Sequence, residues 1–457
     1  METKMTEGSP LKIILRFMAP LLLGNIFQQF YNMVDTIIVG KYVGAKSLAA
    51  VGSTGTIMFL VMGFSLGMTT GFTVLTSQKY GAGDRMAAKG TVANGIILSA
   101  IVVLILTVLS RIVMHPLLRL MNTPADIYQD AYSYISVICL GIVATVYYNL
   151  FSSFLRAVGN SRIPLYFLIL SAFLNIILDL LFIIRFKMGV AGAAWATNVS
   201  QGVSAICCLI YIRSHVDVLT PEKGQWRLSR SYTKSQIYIG LPMALQFGIT
   251  ASGTMIMQTA INMFGSVAVA GFTAASKVQN LLTQGMMACG QTMAAYSGQN
   301  YGKMDMERVE KGTWDAMKIM TVYSLLAALL AVACLPYMLQ LFFSSDISLS
   351  ELMPWASVYV RECVIFYIPL SMIFIYRNTM QGCGYGMTAM SLGLLEFLAR
   401  LVTALVSMKL ASYPLAAGAD PAAWFVAGIA SIFLYRRVRR DIQSRLKTAT
   451  PIEEANP

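Results

Sequence analysis

The chain has 457 residues, of which 56% are hydrophobic and 12% charged, with a mean hydropathy of +0.64. A soluble globule of this size shows more polar surface to water than that composition supplies, so an integral membrane protein is expected. The formal net charge of +13 would suit a nucleic-acid partner, but Lys and Arg recur in alternate loops, which is the positive-inside pattern of a multi-pass membrane protein and argues against nucleic acid.

In chain order, apolar runs long enough to span a bilayer lie near 11–38, 50–75, 91–114, 127–150, 163–184 and 190–212, then 236–262, 266–296, 313–343, 350–376, 385–411 and 417–435. The first is long, lacks a small-residue cleavage pattern and contains Asp35, so it is expected to be retained as a span and not removed as a signal peptide. Lys79, Arg85, Lys89, Arg156, Arg162, Arg213, Lys303, Arg308, Lys311 and the Arg436-Arg437-Val438-Arg439-Arg440 run fall on one side, which places both termini in the cytoplasm.

In span one, Asp35 has no basic residue within the helical turn before it. An unpaired acid inside a membrane is costly and by default marks an ion or proton pathway; the competing reading places it near the outer interface against Lys41. Pro20 opens the same apolar run. Between spans two and three stands Gln78-Lys79-Tyr80-Gly81-Ala82-Gly83-Asp84, whose glycines suit a tight turn and whose Asp suits a helix cap. In span five, Asn175 and Asp179 are four residues apart and share one helical face. Asp179 lies toward the outer end of its span, as Asp35 does, so the two acids can share a depth and form one site; the alternative pairs Asp179 with Arg185. Two carboxylates in a low-dielectric pocket penalise each other's ionisation, so such a pair can bind and release a proton. The same oxygens, with the Asn175 amide and a hydroxyl such as that of Thr197, can instead hold Na+. The residues alone leave both readings open.

The stretch 213–235 is the one long polar segment and is read as a linker between halves. Beyond it the sequence repeats: Gln299-Asn300-Tyr301-Gly302-Lys303-Met304-Asp305 matches the Gln78 segment, Pro242 matches Pro20, Lys311-Gly312 matches Lys89-Gly90, and Gln381-Gly382-Cys383-Gly384 matches Arg156-Ala157-Val158-Gly159. A repeat of this period in an apolar chain implies duplication of a transporter half. The expected fold is an all-α membrane protein of twelve transmembrane helices in two six-helix lobes related by a pseudo-twofold axis along the membrane normal. Its parts are an N-terminal lobe (1–212), a cytoplasmic linker (213–235), a C-terminal lobe (236–435) and a basic cytoplasmic tail (436–457).

The halves differ chemically. The position matching Asp35 is near Met257, and spans seven and eight carry no acid. Glu396 and Arg400 are four apart and read as a neutralising pair, with Arg361 and Glu362 read the same way; Lys277 reads as snorkelling to the interface. Gln28, Asn32, Gln246, Met257 and Met286 are candidates for an adaptable drug-binding cavity, against the alternative of ordinary helix packing. The seven cysteines lie in apolar runs without metal-ligand spacing and read as reduced, buried hydrophobes. With only His115 and His215, neither in a nucleophile or ligand constellation, an enzyme is not expected.

Together, Pro20, Val34-Asp35-Thr36, Gln78-x-Tyr80-Gly81, Leu155-Arg156-Ala157-Val158-Gly159-Asn160, Asn175-x-x-x-Asp179, Gln299-x-Tyr301-Gly302 and Gln381-Gly382-x-Gly384 resemble the multidrug and toxic compound extrusion (MATE) transporters. The resemblance covers nearly the whole chain and is to the prokaryotic DinF-like type, within the multidrug/oligosaccharidyl-lipid/polysaccharide flippase superfamily. It implies a V-shaped pair of lobes that alternate between outward-open and inward-open, exporting organic cations against entry of H+ or Na+. It also implies a cation-coupling site on Asp35, Asn175, Asp179 and Thr197 and bending of span one near Pro20. No cofactor is implied beyond the coupling ion. The expected partners are small organic molecules, cationic drugs among them, and the lipid bilayer, for a monomer in a bacterial cell membrane. The alternative, a lipid-linked precursor flippase, would want a cationic central cavity, and basic residues inside the spans are few, chiefly Lys277, Arg361 and Arg400.

Overall fold

A computed structural model describes residues 4–121, 123–342 and 349–449, and these form helices with no strand among them. The first half runs α1 (Pro10–Tyr42), α2 (Ala45–Ser53), α3 (Gly55–Gly81), α4 (Arg85–Leu120), α5 (Ala125–Leu140), α6 (Ile142–Ala157), α7 (Arg162–Asp179), a π-helical turn Leu180–Arg185, and α8 (Gly189–His215). Two 3-10 turns, Asp217–Leu219 and Lys223–Gln225, lead to α9 (Arg230–Asn262), α10 (Ser266–Gly302), α11 (Met306–Phe342), α12 (Leu349–Ile365), α13 (Tyr367–Gly382), α14 (Gly386–Leu410), α15 (Tyr413–Ala417) and α16 (Ala419–Ala449).

The twelve expected spans are all present as helices, six in each half. Among the described residues, eight are long and apolar enough to cross by length and composition alone: α1, α3, α4, α7 with its π turn, α8, α9, α11 and α14. The fourth and tenth are broken helices, α5–α6 bent by 47° at Gly141 and α12–α13 bent by 53° at Phe366, where unbroken runs were expected. Helices α10 and α16 have the length, 37 and 31 residues, but the Asn and Gln of α10 and the arginines of α16 dilute their apolar character.

The chain divides into two compact units, one of Arg16–Ala251 and one that joins Met5–Leu15 to the residues from Ser252 onward. The boundary therefore falls inside α9 and not in the 213–235 linker. In unit one, the linker and the start of α9 are tied down by buried amides. Asn94 accepts from the Ser229 N–H at 2.8 Å and donates to Gln236 Oε1 at 2.7 Å, while Gln236 Nε2 donates to the carbonyls of Phe72 and Thr91 at 3.0 and 2.9 Å. Helix α9 then lies directly on α3. A Cβ at Gly63 would stand 2.7 Å from the Phe247 ring, one at Gly67 2.6 Å from Ala244 Cα, and one at Gly71 2.2 Å from Gly240 Cα. Glycines every four residues thus form a groove for the α9 backbone, the small-residue packing that replaces the hydrophobic drive where the surroundings are lipid.

In unit two, the chain's first described residues dock on the second repeat motif. The Met5 N–H donates to Gln299 Oε1 at 3.0 Å, and the Met5 carbonyl accepts from Asn300 Nδ2 at 3.2 Å and from the Arg308 guanidinium at 3.1 and 3.2 Å. Within the basic stretch from Arg436, residues to Ala449 continue α16, with Val438 and Ile442 in a core against Met306, Val309, Met380 and Leu392, and Arg439 paired with Glu310. Residues 450–457 lie outside the described residues.

The repeat motifs do the same local work in both units. Asp84 caps α4 by accepting from the Ala87 N–H at 2.9 Å, and Asp305 caps α11 by accepting from the Arg308 N–H at 2.9 Å. The residue before each Asp, Gly83 or Met304, takes positive φ. Gly159 and Gly384 likewise turn the chain at φ 86° and 91°. Replacing Gly71 by Val forces a side chain into the α9 backbone and is expected to destabilise the protein by about 1–3 kcal/mol or more. Thermal melting in detergent checks this, with Gly55→Ala as a control, because a Cβ at Gly55 meets nothing within 4 Å.

Candidate functional site

Tyr31 and Asp35 stand one turn apart on α1, and Asn175 and Asp179 one turn apart on α7. The structure brings the two pairs together. The side chains of Asp35 and Asp179 lie against each other. Around them, Thr197 of α8 accepts from Asn175 Nδ2 at 3.4 Å and lies 3.3 Å, hydroxyl to hydroxyl, from Tyr31. Tyr134 of α5 lies close enough to both acids and Tyr31 to interact with them electrostatically. Asn175 and Asp179 are fully buried and Asp35 half-buried. The wall behind Asp35 is apolar, built from Ile38, Val39, Tyr134, Ile138, Ile183 and Ala194. Asp35 forms no ion pair with Lys41 among the described residues, and its buried Oδ1 has no hydrogen-bond partner there.

Local backbone chemistry sets this register. Immediately after Asp179 the helix widens into the π turn, a device frequent at functional sites, and Lys187 and Gly189 then take positive φ to start α8. At the α5–α6 break, Asn198, the residue after Thr197, donates to the Val137 carbonyl at 2.7 Å. A Cβ at Gly141 would stand 2.1 Å from Asn198 Cγ, so only glycine lets α8 seat its amide in the break. The bend thus fixes α5, carrying Tyr134, against α8, carrying Thr197.

All four residues expected at the coupling site, Asp35, Asn175, Asp179 and Thr197, lie in this cluster. Sequence reasoning missed Tyr31 and Tyr134; the available signal was Tyr31 one turn before Asp35. Pro20 is inside the continuous α1, where it withdraws one backbone N–H from the helix ladder. Among the proposed cavity residues, Gln28 and Asn32 are exposed and Gln246 is half-buried. Met257 and Met286 are buried within unit two, at 5% and 0% exposure.

In unit two, Glu396 and Arg400 pair at 3.7 Å within a larger buried network. Arg377 of α13 donates to Glu396 at 3.2 Å, Arg400 to Asp420 of α16 at 2.6 Å, and Tyr359 of α12 to the other Asp420 oxygen at 3.2 Å. Two bases and two acids neutralise each other and join α12, α13, α14 and α16. Arg361 and Glu362 do not pair: Arg361 is exposed, while Glu362 points a buried, unpartnered Oε2 toward Gly418. Lys277 is exposed on α10.

Chemically, unit one presents two carboxyls, a hydroxyl, an amide and two phenols around one point in apolar surroundings. Two carboxyls side by side in apolar surroundings can share one proton, and the same oxygens form a donor set suited to a hard monovalent cation. Removing Arg400 from its network leaves Glu396 and Asp420 buried with less compensation. Arg400→Met should therefore cost about 3–5 kcal/mol, seen as a lowered melting temperature in detergent. Gly141→Ala displaces Asn198 and should cost about 1–3 kcal/mol in the same assay.

A model of the MatE family matches residues 20–181 and 242–406, one stretch in each half, beginning at Pro20 and Pro242. Similar proteins include the probable multidrug resistance protein YpnP of Bacillus subtilis (strain 168), 29% identical over 446 residues that span 95% of this chain and 96% of that protein. The multidrug export protein MepA of Staphylococcus saprophyticus is 21% identical over 401 residues, 85% of each. Among solved structures, the outward-facing conformation of a multidrug resistance MATE family transporter of the MOP superfamily superposes with a TM-score of 0.89 at 23% identity, covering 96% of this chain and 98% of that one. With the repeat, the helical architecture and the family match all covering both halves, the chain belongs to the MatE family and is a multi-pass membrane transporter, not an enzyme.

Proposed function

We propose that the protein is a cation-coupled multidrug antiporter of the cell membrane. It exports organic, cationic compounds by alternating access, with Asp35 and Asp179 carrying the coupling ion and Asn175 and Thr197 orienting it. The observation that supports this most directly is the contact between the Asp35 and Asp179 carboxyls inside an apolar unit. A proton suits that contact because two neighbouring carboxylates repel each other unless a proton or cation neutralises one of them; Na+ would use the same oxygens. Relatives named for multidrug resistance and export support the substrate class. The asymmetric placement of Lys and Arg supports cytoplasmic termini.

The energetics are sufficient. One proton entering at about 100 mV supplies about 2.3 kcal/mol and one pH unit adds about 1.4, enough for roughly 500-fold accumulation of a neutral substrate. A cationic substrate leaving against the potential lowers that figure unless more ions enter.

The test is transport of a fluorescent organic cation in proteoliposomes, with pH and Na+ gradients imposed separately at clamped voltage. Transport driven by the pH gradient alone is expected, and dependence on Na+ alone would recast the carboxyls as ligands of a metal ion. Asp35→Asn and Asp179→Asn should each reduce ion-driven transport to background while leaving the fold intact by circular dichroism. Full ion-driven transport in either variant would overturn the site assignment.

A further inference from the structure

Away from the carboxyl pair, unit one carries a groove of about 470 Å³ along α4, α6 and α8, roofed by the linker. Its walls are apolar, with Val143, Tyr147 and Phe151 on one side and Ile206 and Leu209 on the other. The Tyr147 hydroxyl is spent on the Ile96 carbonyl at 3.2 Å, so it adds no free polar group. Val143 and Ile206 are largely exposed although they sit on spanning helices, so the groove opens outward, where the surroundings are lipid. It follows α8 from Gly202 to Arg213, about three turns or roughly 16 Å, which is close to the hydrocarbon depth of one leaflet.

The linker end of the groove has a different character. Trp226, half exposed, forms part of the roof, and Arg213 stands at the mouth. The nearby linker acids are both taken: Lys89 of α4 holds Asp217 at 3.1 Å and Glu222 at 3.3 Å. Arg213 consequently has no acid partner among the described residues, and exposed Lys223 and Arg227 add positive charge on the same segment. An indole in the linker beside the ends of spanning helices fits the membrane interface, and a guanidinium without an acid partner there is suited to forked hydrogen bonding with phosphate.

We propose that this groove binds one anionic phospholipid from the leaflet bordering the linker, with an acyl chain in the slot and the headgroup phosphate on Arg213. The apolar slot recognises the chain, and the lone arginine with its basic neighbours selects an anionic headgroup. The bound lipid braces the linker against α8, next to the amide network that anchors α9.

The experiment uses the full-length protein in vesicles of phosphatidylcholine doped with either dibromo-phosphatidylglycerol or dibromo-phosphatidylcholine. Quenching assigned to Trp226 is obtained as the difference from Trp226→Phe. Brominated phosphatidylglycerol is expected to quench Trp226 at about fivefold lower mole fraction than brominated phosphatidylcholine, the size of one basic residue's preference for anionic lipid. Arg213→Gln should abolish that preference while leaving circular dichroism unchanged, and Gly202→Leu, which fills the slot, should reduce quenching by both lipids. Equal quenching by the two lipids in the unmodified protein, or a preference that survives Arg213→Gln, would overturn the proposal, as would undiminished quenching in a folded Gly202→Leu variant.

Discussion

The contact between the Asp35 and Asp179 carboxyls sets the terms for the rest of unit one. Carboxyl groups in low-dielectric surroundings are stable only when neutral, ion-bound or paired, so the helices that carry them must be held to a common register. That register is built from ordinary parts: the helical turn linking Asn175 to Asp179, the π turn directly after it, and the Asn198 amide seated in the Gly141 break. The amide fixes α5 on α8 and with it the positions of Tyr134 and Thr197. Chemistry at the carboxyls and bending of the fourth span are therefore consequences of one packing arrangement.

The two units handle buried charge in opposite ways. Unit one keeps its acids together, with no base in the cluster among the described residues. Unit two places Arg377 and Arg400 against Glu396 and Asp420 and closes the charge account internally. Where the repeat would put a second Asp35, it has the buried Met257. Duplicated halves have kept the same caps, turns and broken helices while diverging in electrostatics: one holds two acids side by side and the other a neutral clamp across four helices.

Close backbone approach is the second structural theme. The Gly63, Gly67 and Gly71 row admits α9 to within contact of the α3 backbone, and the Asn94–Gln236 amide network fastens the same segment. Together they draw the first part of α9 into unit one. At the other end of the chain, the Met5 backbone satisfies the polar side chains of Gln299, Asn300 and Arg308 beside the second repeat motif, which carries Met5–Leu15 into unit two. Chain order and unit membership part company at both places because buried amides need partners wherever they can be found.

Much of this was legible in the sequence. Apolar run lengths determined the twelve helices, since a bilayer demands about 20 apolar residues per span whatever the packing. The motif repeat determined the duplication and its cap and turn chemistry, because Gly and Asp act locally. The sequence singled out Asp35 and Asp179 as acids inside spans, with Asn175 one turn from Asp179 and Thr197 as a nearby hydroxyl, and the fold places all four in one cluster. Only the tertiary structure decided what depends on contacts between segments distant in the chain: Tyr31 and Tyr134 joining the acids, Asn198 seated in the break at Gly141, Asp420 and Arg377 completing the network begun by Glu396 and Arg400, and the boundary inside α9. Periodicity reports which face of a helix is apolar, but not which neighbour that face meets; that choice rests on side-chain volumes and hydrogen-bond partners brought together only in three dimensions.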